Sequence, residues 1–328
     1  MKTLLTLLTG AALLGGALTA SAAPTVYIPL GSGNKVIAVD AATDQITATY
    51  PDVENPHGLV ATPDGEYLIA GSLKETPVPA GAPHDTPNSK LAVIHPIHGH
   101  VMLTVPVTGW THHETVTRDG RYVISTHPTR GYVSVVDLVG NKVVRMVATG
   151  PAPNYTLMSH DGKRAFVSNS GNGTISEVDV ATWTVVRTLE AGAGPEHLVF
   201  SKDERTIYVA NPRAGVVTAV DVASGKPART FPVGKDAHGL DISDDGSTLY
   251  ATARGDEKLV AIDTASGETR TLRLSPAPYH LNTIHGAGKV YVSSAKAPTI
   301  WVIDQKTFTL KGTIQLPGGE GHQMAIVQ

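Results

Sequence analysis

Gly109-Trp110-Thr111-His112-His113-Glu114-Thr115-Val116-Thr117-Arg118-Asp119-Gly120-Arg121-Tyr122-Val123-Ile124 is the stretch whose reading decides the fold. A loop delivers two adjacent histidines to a short alternating strand, a tight Asp-Gly turn reverses the chain, and an aromatic–apolar strand follows. Variants of this unit recur. Asp-Gly or Asp-Glu turns stand at Asp64-Gly65, Asp119-Gly120, Asp161-Gly162, Asp203-Glu204 and Asp245-Gly246, and seven residues before each lie His57, His112, Asn154, Glu196 and His238. The register continues to Tyr279, whose turn is degenerate, and to His322. Intervals between these seven anchors are 55, 42, 42, 42, 41 and 43 residues. A period near 42 with four short strands per unit is the signature of a propeller blade.

The unit is most regular around Glu196. A first strand, Leu198-Val199-Phe200, precedes the turn, and Thr206-Ile207-Tyr208-Val209-Ala210-Asn211 follows it. A third strand ends in an aspartate (Val217-Thr218-Ala219-Val220-Asp221), and a turn leads to Ala228-Arg229-Thr230-Phe231-Pro232-Val233. At the N-terminus, Val26–Leu30, Lys35–Asp40 and Gln45–Tyr50 match second, third and fourth strands with no first strand before them, whereas His322–Val327 is a first strand with nothing after it. Together they complete a seventh blade and close the ring, which removes open sheet edges. The fold expected is therefore all-β, a seven-bladed β-propeller of four-stranded antiparallel blades, with no helical stretch. The long first interval locates an insertion of 13 residues (55 against 42) in the Pro- and Gly-rich segment Leu73–Lys90, which reads as a surface loop on the face where the first strands start.

Residues 1–22 read as a secretory signal peptide: Lys2, an apolar run from Leu4 to Leu18, and Ala20-Ser21-Ala22 before the cut. Residues 23–328 then form one propeller domain, periplasmic or secreted, with no membrane span after cleavage. There is no cysteine among the 328 residues, so disulfides, thiolate metal sites and a cysteine nucleophile are excluded. A net charge of −3 without a long basic run argues against a dedicated nucleic-acid binder. No phosphate loop, nucleophile elbow or HExxH helix occurs. Asp40, Asp137, Asp179, Asp221, Asp263 and Asp304 all end third strands, which assigns them to turns.

Ile207–Asn211 with Val217–Asp221, and Ala165–Asn169 with Ile175–Asp179, resemble the YVTN family of β-propeller repeats. The likeness covers nearly all of residues 23–328. It implies the propeller fold and leaves function open, because that family spans binding, surface and enzyme-associated proteins.

First strands line the axial channel of a propeller, and two positions per blade, the anchor and the next residue, face its mouth. In order these are His57-Gly58, His112-His113, Asn154-Tyr155, Glu196-His197, His238-Gly239, Tyr279-His280 and His322-Gln323. Half of the 14 histidines fall in these 14 positions. Repeat packing is the plain explanation, since duplication copies histidines together with their blades and a neutral imidazole hydrogen-bonds well. Duplication does not explain why His113, His197 and His280 sit one residue out of register from His57, His112, His238 and His322. These seven are therefore the expected metal ligands. Asn154, Tyr155, Glu196 and Tyr279, with His127 just outside, are the groups expected to orient them. An all-imidazole donor set suits copper, zinc, iron and nickel, and the Irving–Williams order favours copper, with zinc as the alternative.

Thr111-His112-His113 with Asp119–Ile124 and Val133–Leu138 resembles the blade of nitrous oxide reductase that supplies a His-His pair to its copper–sulfide cluster, which seven histidines hold at one end of a seven-bladed propeller. The resemblance implies that His112 and His113 are the pair and that His57, His197, His238, His280 and His322 are counterparts of the single ligands. Without cysteine or a cupredoxin segment, that family's electron-entry copper site is not expected here. The functional readings are metal storage or delivery, or related redox chemistry, with a periplasmic protein as a further partner. A metal-free module for protein, glycan or nucleic acid, and a tetrapyrrole-binding propeller of cytochrome d1 type, are the alternatives.

Overall fold

The structure, a computed structural model, describes residues 23–328; the expected signal peptide lies outside them. Twenty-eight strands form seven four-stranded antiparallel sheets. Blade 1 comprises Pro56–Ala61, Leu68–Ser72, Ser89–His95 and His100–Val107, and blade 2 comprises Glu114–Val116, Tyr122–His127, Tyr132–Asp137 and Lys142–Ala148. Blades 3 to 6 begin at Pro153, Leu198, Ala237 and Pro278. Blade 7 joins the last strand, Ala325–Val327, to Thr25–Leu30, Lys35–Asp40 and Gln45–Pro51. Thr25 pairs with Val327 and Tyr27 with Ala325, so the expected closure is present. A three-residue 3-10 turn at Arg254–Asp256 departs from the expectation of no helix; it connects the second and third strands of blade 5.

The hydrophobic core is distributed as seven clusters, one between each pair of neighbouring blades. Second and third strands are buried on both faces, since each blade stacks between two others, and they read as continuous runs of Val, Ile, Ala and Tyr. Fourth strands are exposed at the rim apart from one inward residue near the end, such as Phe231 or Ile314. On the face opposite the anchors, Thr62, Thr117, Ser159, Ser201 and Ser243 donate their hydroxyls to the turn aspartates Asp64, Asp119, Asp161, Asp203 and Asp245. The aspartates that end third strands accept backbone N–H bonds from the following turn, Asp179 from the Thr182 amide and Asp221 from the Ser224 amide.

A candidate metal centre of seven histidines

Consecutive residues of a strand point to opposite faces, so the anchor and its successor should not both reach the channel. A β-bulge resolves this. In blade 1, Pro56 pairs with Ser72 and Leu59 with Ala70, leaving His57 and Gly58 opposite the single residue Gly71. Asn154-Tyr155, His238-Gly239 and Tyr279-His280 sit in the same irregularity. In blades 2 and 4, His112-His113 embraces Thr126, and Glu196-His197 embraces Ala210, through paired backbone bonds. The residue opposite the bulge lies 14 positions after the anchor and carries a hydroxyl in blades 2, 3, 5 and 6. Thr126, Ser168, Thr252 and Ser293 accept the amide N–H of His113, Tyr155, Gly239 and His280. Thr126, Ser168 and Thr252 then donate to the anchor carbonyl of the next blade, at Asn154, Glu196 and Tyr279. These hydroxyls fix bulge and blade spacing together. Sequence reasoning did not single them out, although their constant offset was available.

The seven expected histidines meet in one contiguous cluster. His57 lies 4.3 Å from His112, 5.0 Å from His113, 5.1 Å from His280 and 4.2 Å from His322, measured between ring centroids. His197 lies 5.0 Å from His113, 4.7 Å from His238 and 4.9 Å from His280. His112 is half-buried, and the other six are 0–5 % exposed. Three overlapping triads, His57/His280/His322, His57/His112/His113 and His113/His197/His280, bring one ligand atom per residue within 4.8 Å of each other. His238 belongs to none of them.

Outside the cluster, obligate acceptors set tautomers. The Asn154 carbonyl faces His112 Nδ1 at 3.3 Å, Glu196 Oε2 faces His238 Nδ1 at 2.8 Å, and Glu320 Oε1 faces His322 Nε2 at 3.2 Å. Those nitrogens must carry the proton, which leaves the opposite lone pair for the centre. Gln323 Oε1 plays the same part for His113 Nδ1 at 2.7 Å, and its amide nitrogen donates to the Tyr155 hydroxyl. Eight buried imidazole nitrogens of the cluster have no protein partner: both of His57 and His280, Nε2 of His113, His197 and His238, and Nδ1 of His322. Burial, reinforced by neighbouring imidazoles, holds His57, His113, His197 and His280 well below the usual histidine range. Burial takes His112 to about 4 and His238 to about 3, the latter helped by the Arg254 guanidinium. These six are thereby held in the neutral form at pH 7, the form that binds metals.

Of the remaining predicted groups, Tyr155 stacks on His197 at 4.7 Å and Tyr279 on His238 at 4.4 Å. Arg254 lies over Tyr279 and is held by Asp236 at 2.7 Å. His127 is a correction. Its Nδ1 meets the Gly109 carbonyl at 3.2 Å and its Nε2 the Ser134 hydroxyl at 2.7 Å, so neither nitrogen is free to orient a ligand. It occupies the strand-end position of Asn169 and Asn211, which bond Ser176 and Thr218 in the same way. Its role is to tie the second strand to the third.

Glu114 also went unrecognised. It is 1 % exposed, with Oε1 accepting from Ser125 at 2.9 Å and Oε2 unpartnered, and burial raises its carboxyl to about 8. Gly58 and Gly71 make room for it: a Cβ at Gly58 would stand 1.9 Å from Oε2. The insertion after Ser72 is anchored on the arm that leads into blade 2, where Glu75 accepts from the Trp110 amide at 2.9 Å, and is held together internally by the bond from Asn88 to Glu75 at 3.1 Å. It thereby braces the loop that carries His112 and His113, and Trp110 sets its ring against His112 at 5.5 Å.

Residues 156–247 match the YNCE-like beta-propeller family. The match contains Ile207–Asn211 and Val217–Asp221, on which the repeat resemblance rests. A search of curated proteins finds no match. Among solved structures the chain is similar to the periplasmic gluconolactonase PpgL of Pseudomonas aeruginosa, with a TM-score of 0.74 and 20% identity over 93% of this chain and 99% of that one. It is similar to Kuenenia stuttgartiensis hydrazine synthase, with a TM-score of 0.69 and 19% identity over 80% of this chain and 87% of that one. It is also similar to the dihydro-heme d1 dehydrogenase NirN in complex with DHE, with a TM-score of 0.67 and 15% identity over 92% of this chain and 65% of that one. At such identities the likeness is one of fold. Among the described residues no helix is long and apolar enough to cross a membrane.

Proposed function

We propose that this chain is an exported propeller that binds a transition metal, copper in preference to zinc, through His57, His112, His113, His197, His238, His280 and His322. The observation that carries the reading is the convergence of eight buried imidazole nitrogens without protein partners. Packing alone does not account for it: each orphaned buried polar group costs about 1–3 kcal/mol, and a cluster copied only for packing would pair its nitrogens as His127 does. Nitrogen-only donors fit borderline metals, and at equal geometry copper outranks zinc. The signal-like residues 1–22 and the periplasmic character of PpgL support export. Storage or delivery of the metal is the primary role. Redox chemistry similar to that of nitrous oxide reductase is the further reading, since that family also gathers seven histidines at one propeller mouth.

The resemblance to NirN raises a tetrapyrrole, but one axial histidine would leave at least five others with buried nitrogens unanswered, and rings 4.2–5.5 Å apart already occupy the mouth. The test is elemental analysis of tag-free protein from periplasm beside His57→Ala, which enters two triads. Near-stoichiometric copper in the parent and its loss in a folded variant are expected. Protein that stays metal-free after copper loading, with an unchanged Tm, would return the ring to packing or to a metal-free interaction module.

A further inference from the structure

Away from the ring, on the opposite face and at the rim of blade 1, the turn between the third and fourth strands reads His95-Pro96-Ile97-His98-Gly99-His100. By sequence these histidines look like scattered turn residues; the fold places all three on one hairpin turn, with their ligand nitrogens less convergent than those of the ring triads. His95 and His100 are directly opposed across the hairpin, which places their Cβ atoms about 5 Å apart on one face. The His98 and Gly99 amides both donate to the His95 carbonyl, at 3.1 and 3.0 Å, and this folds His98 back over the pair. The His98 ring lies 4.1 Å from that of His95 and 6.1 Å from that of His100, nearly parallel to both.

No described acidic residue forms an ion pair with any of the three. His100 Nδ1 faces the His98 carbonyl at 2.9 Å and so bears the proton, which leaves the Nε2 lone pair open. His95 packs edge-on to Tyr67 at 5.4 Å, and its Nδ1 is buried with no partner. Packing therefore explains at most His95, while His98 and His100 are exposed. Exposed imidazoles reorient about their side-chain torsions at little cost and bind an ion without the desolvation that a buried site requires.

We propose that this turn is a second metal site, which takes a borderline divalent cation such as zinc, nickel or copper through His95, His98 and His100. Imidazole-only donors select this class and exclude calcium and magnesium. The site is open, exchanges rapidly and stands independent of the ring, which lies at the channel mouth on the opposite face.

An immobilised ion reaches exposed surface histidines far more readily than the ring, where only His112 is more than 5 % exposed. Tag-free protein is applied to a zinc-charged iminodiacetate column and eluted with imidazole, beside His98→Ala/His100→Ala and a control, His160→Ala/His285→Ala, that removes other exposed histidines. Retention of the parent and the control, with early elution of the first variant, is the expected result. In solution, calorimetric titration with zinc is expected to show a weak class of sites whose Kd rises about tenfold in His98→Ala/His100→Ala. Equal retention of that variant and the parent, or loss of retention in the control instead, would overturn the assignment.

Discussion

At the scale of single residues, the difference between His127 and the ring histidines lies in where their second nitrogen goes. His127 is fully satisfied inside blade 2 and held neutral by burial at about 4. Its folded pKa is thus below the unfolded value of about 6.5. The unfolded chain binds the extra proton, so stability falls as pH drops from about 6.5 toward 4 and is unaffected above that window. His127→Asn installs the residue that blades 3 and 4 carry at this position. We expect urea unfolding at pH 7 and pH 5 to show the parent losing about 2 kcal/mol more than the variant over that interval. Equal losses would place the acid sensitivity elsewhere. The ring histidines were legible in the sequence because the period repeats their positions. The role of His127 was not, because the Ser134 hydroxyl that claims it is known only once the second and third strands are in register.

At the scale of elements, two devices shape the mouth of the channel. The bulge lets adjacent residues share one face, and a strict alternation reading of each first strand misses it. The inserted loop after Ser72 reaches the His112–His113 arm through Glu75. Its place between second and third strands followed from the interval of 55 residues, but its anchor did not, since a lone glutamate in a Pro-rich loop carries no periodic signal. Glu75→Ala removes the acceptor of the Trp110 amide and should loosen that arm without unfolding the ring of blades. Groups that orient metal-bound imidazoles are typically worth 10–100-fold in affinity. A copper-competition titration is expected to show a loss of about tenfold, with faster amide exchange at Trp110; unchanged exchange would mean that Glu75 does not brace the loop.

At the scale of the whole molecule, the same seven-fold repetition that gives stability as seven interblade clusters also delivers the site, with histidines from five of the first six blades, Asn154 and Tyr155 from blade 3, and His322 from the closing segment. His322 and Gln323 belong to the segment that closes the ring: the Gly31 amide donates to the Glu320 carbonyl, and Ala325 pairs with Tyr27. A chain ending at residue 320 would leave blade 7 without its first strand and the cluster without the His57/His280/His322 triad. We expect such a truncation to lose the closing contacts and to melt at a markedly lower temperature, with metal content below that of His322→Ala, which keeps the strand. If the truncated chain matched His322→Ala in both respects, closure and site would be separable.

The location of that closing segment sets an order of events in the life of the chain. Synthesis runs from the N-terminus, so His322 and the strand that pairs with Thr25–Tyr27 emerge after every other histidine of the cluster. Until then the triad His57/His280/His322 lacks its third member, although His57/His112/His113 and His113/His197/His280 draw only on earlier blades. The full set of seven imidazoles is therefore assembled only once that last strand has docked beside Thr25–Tyr27.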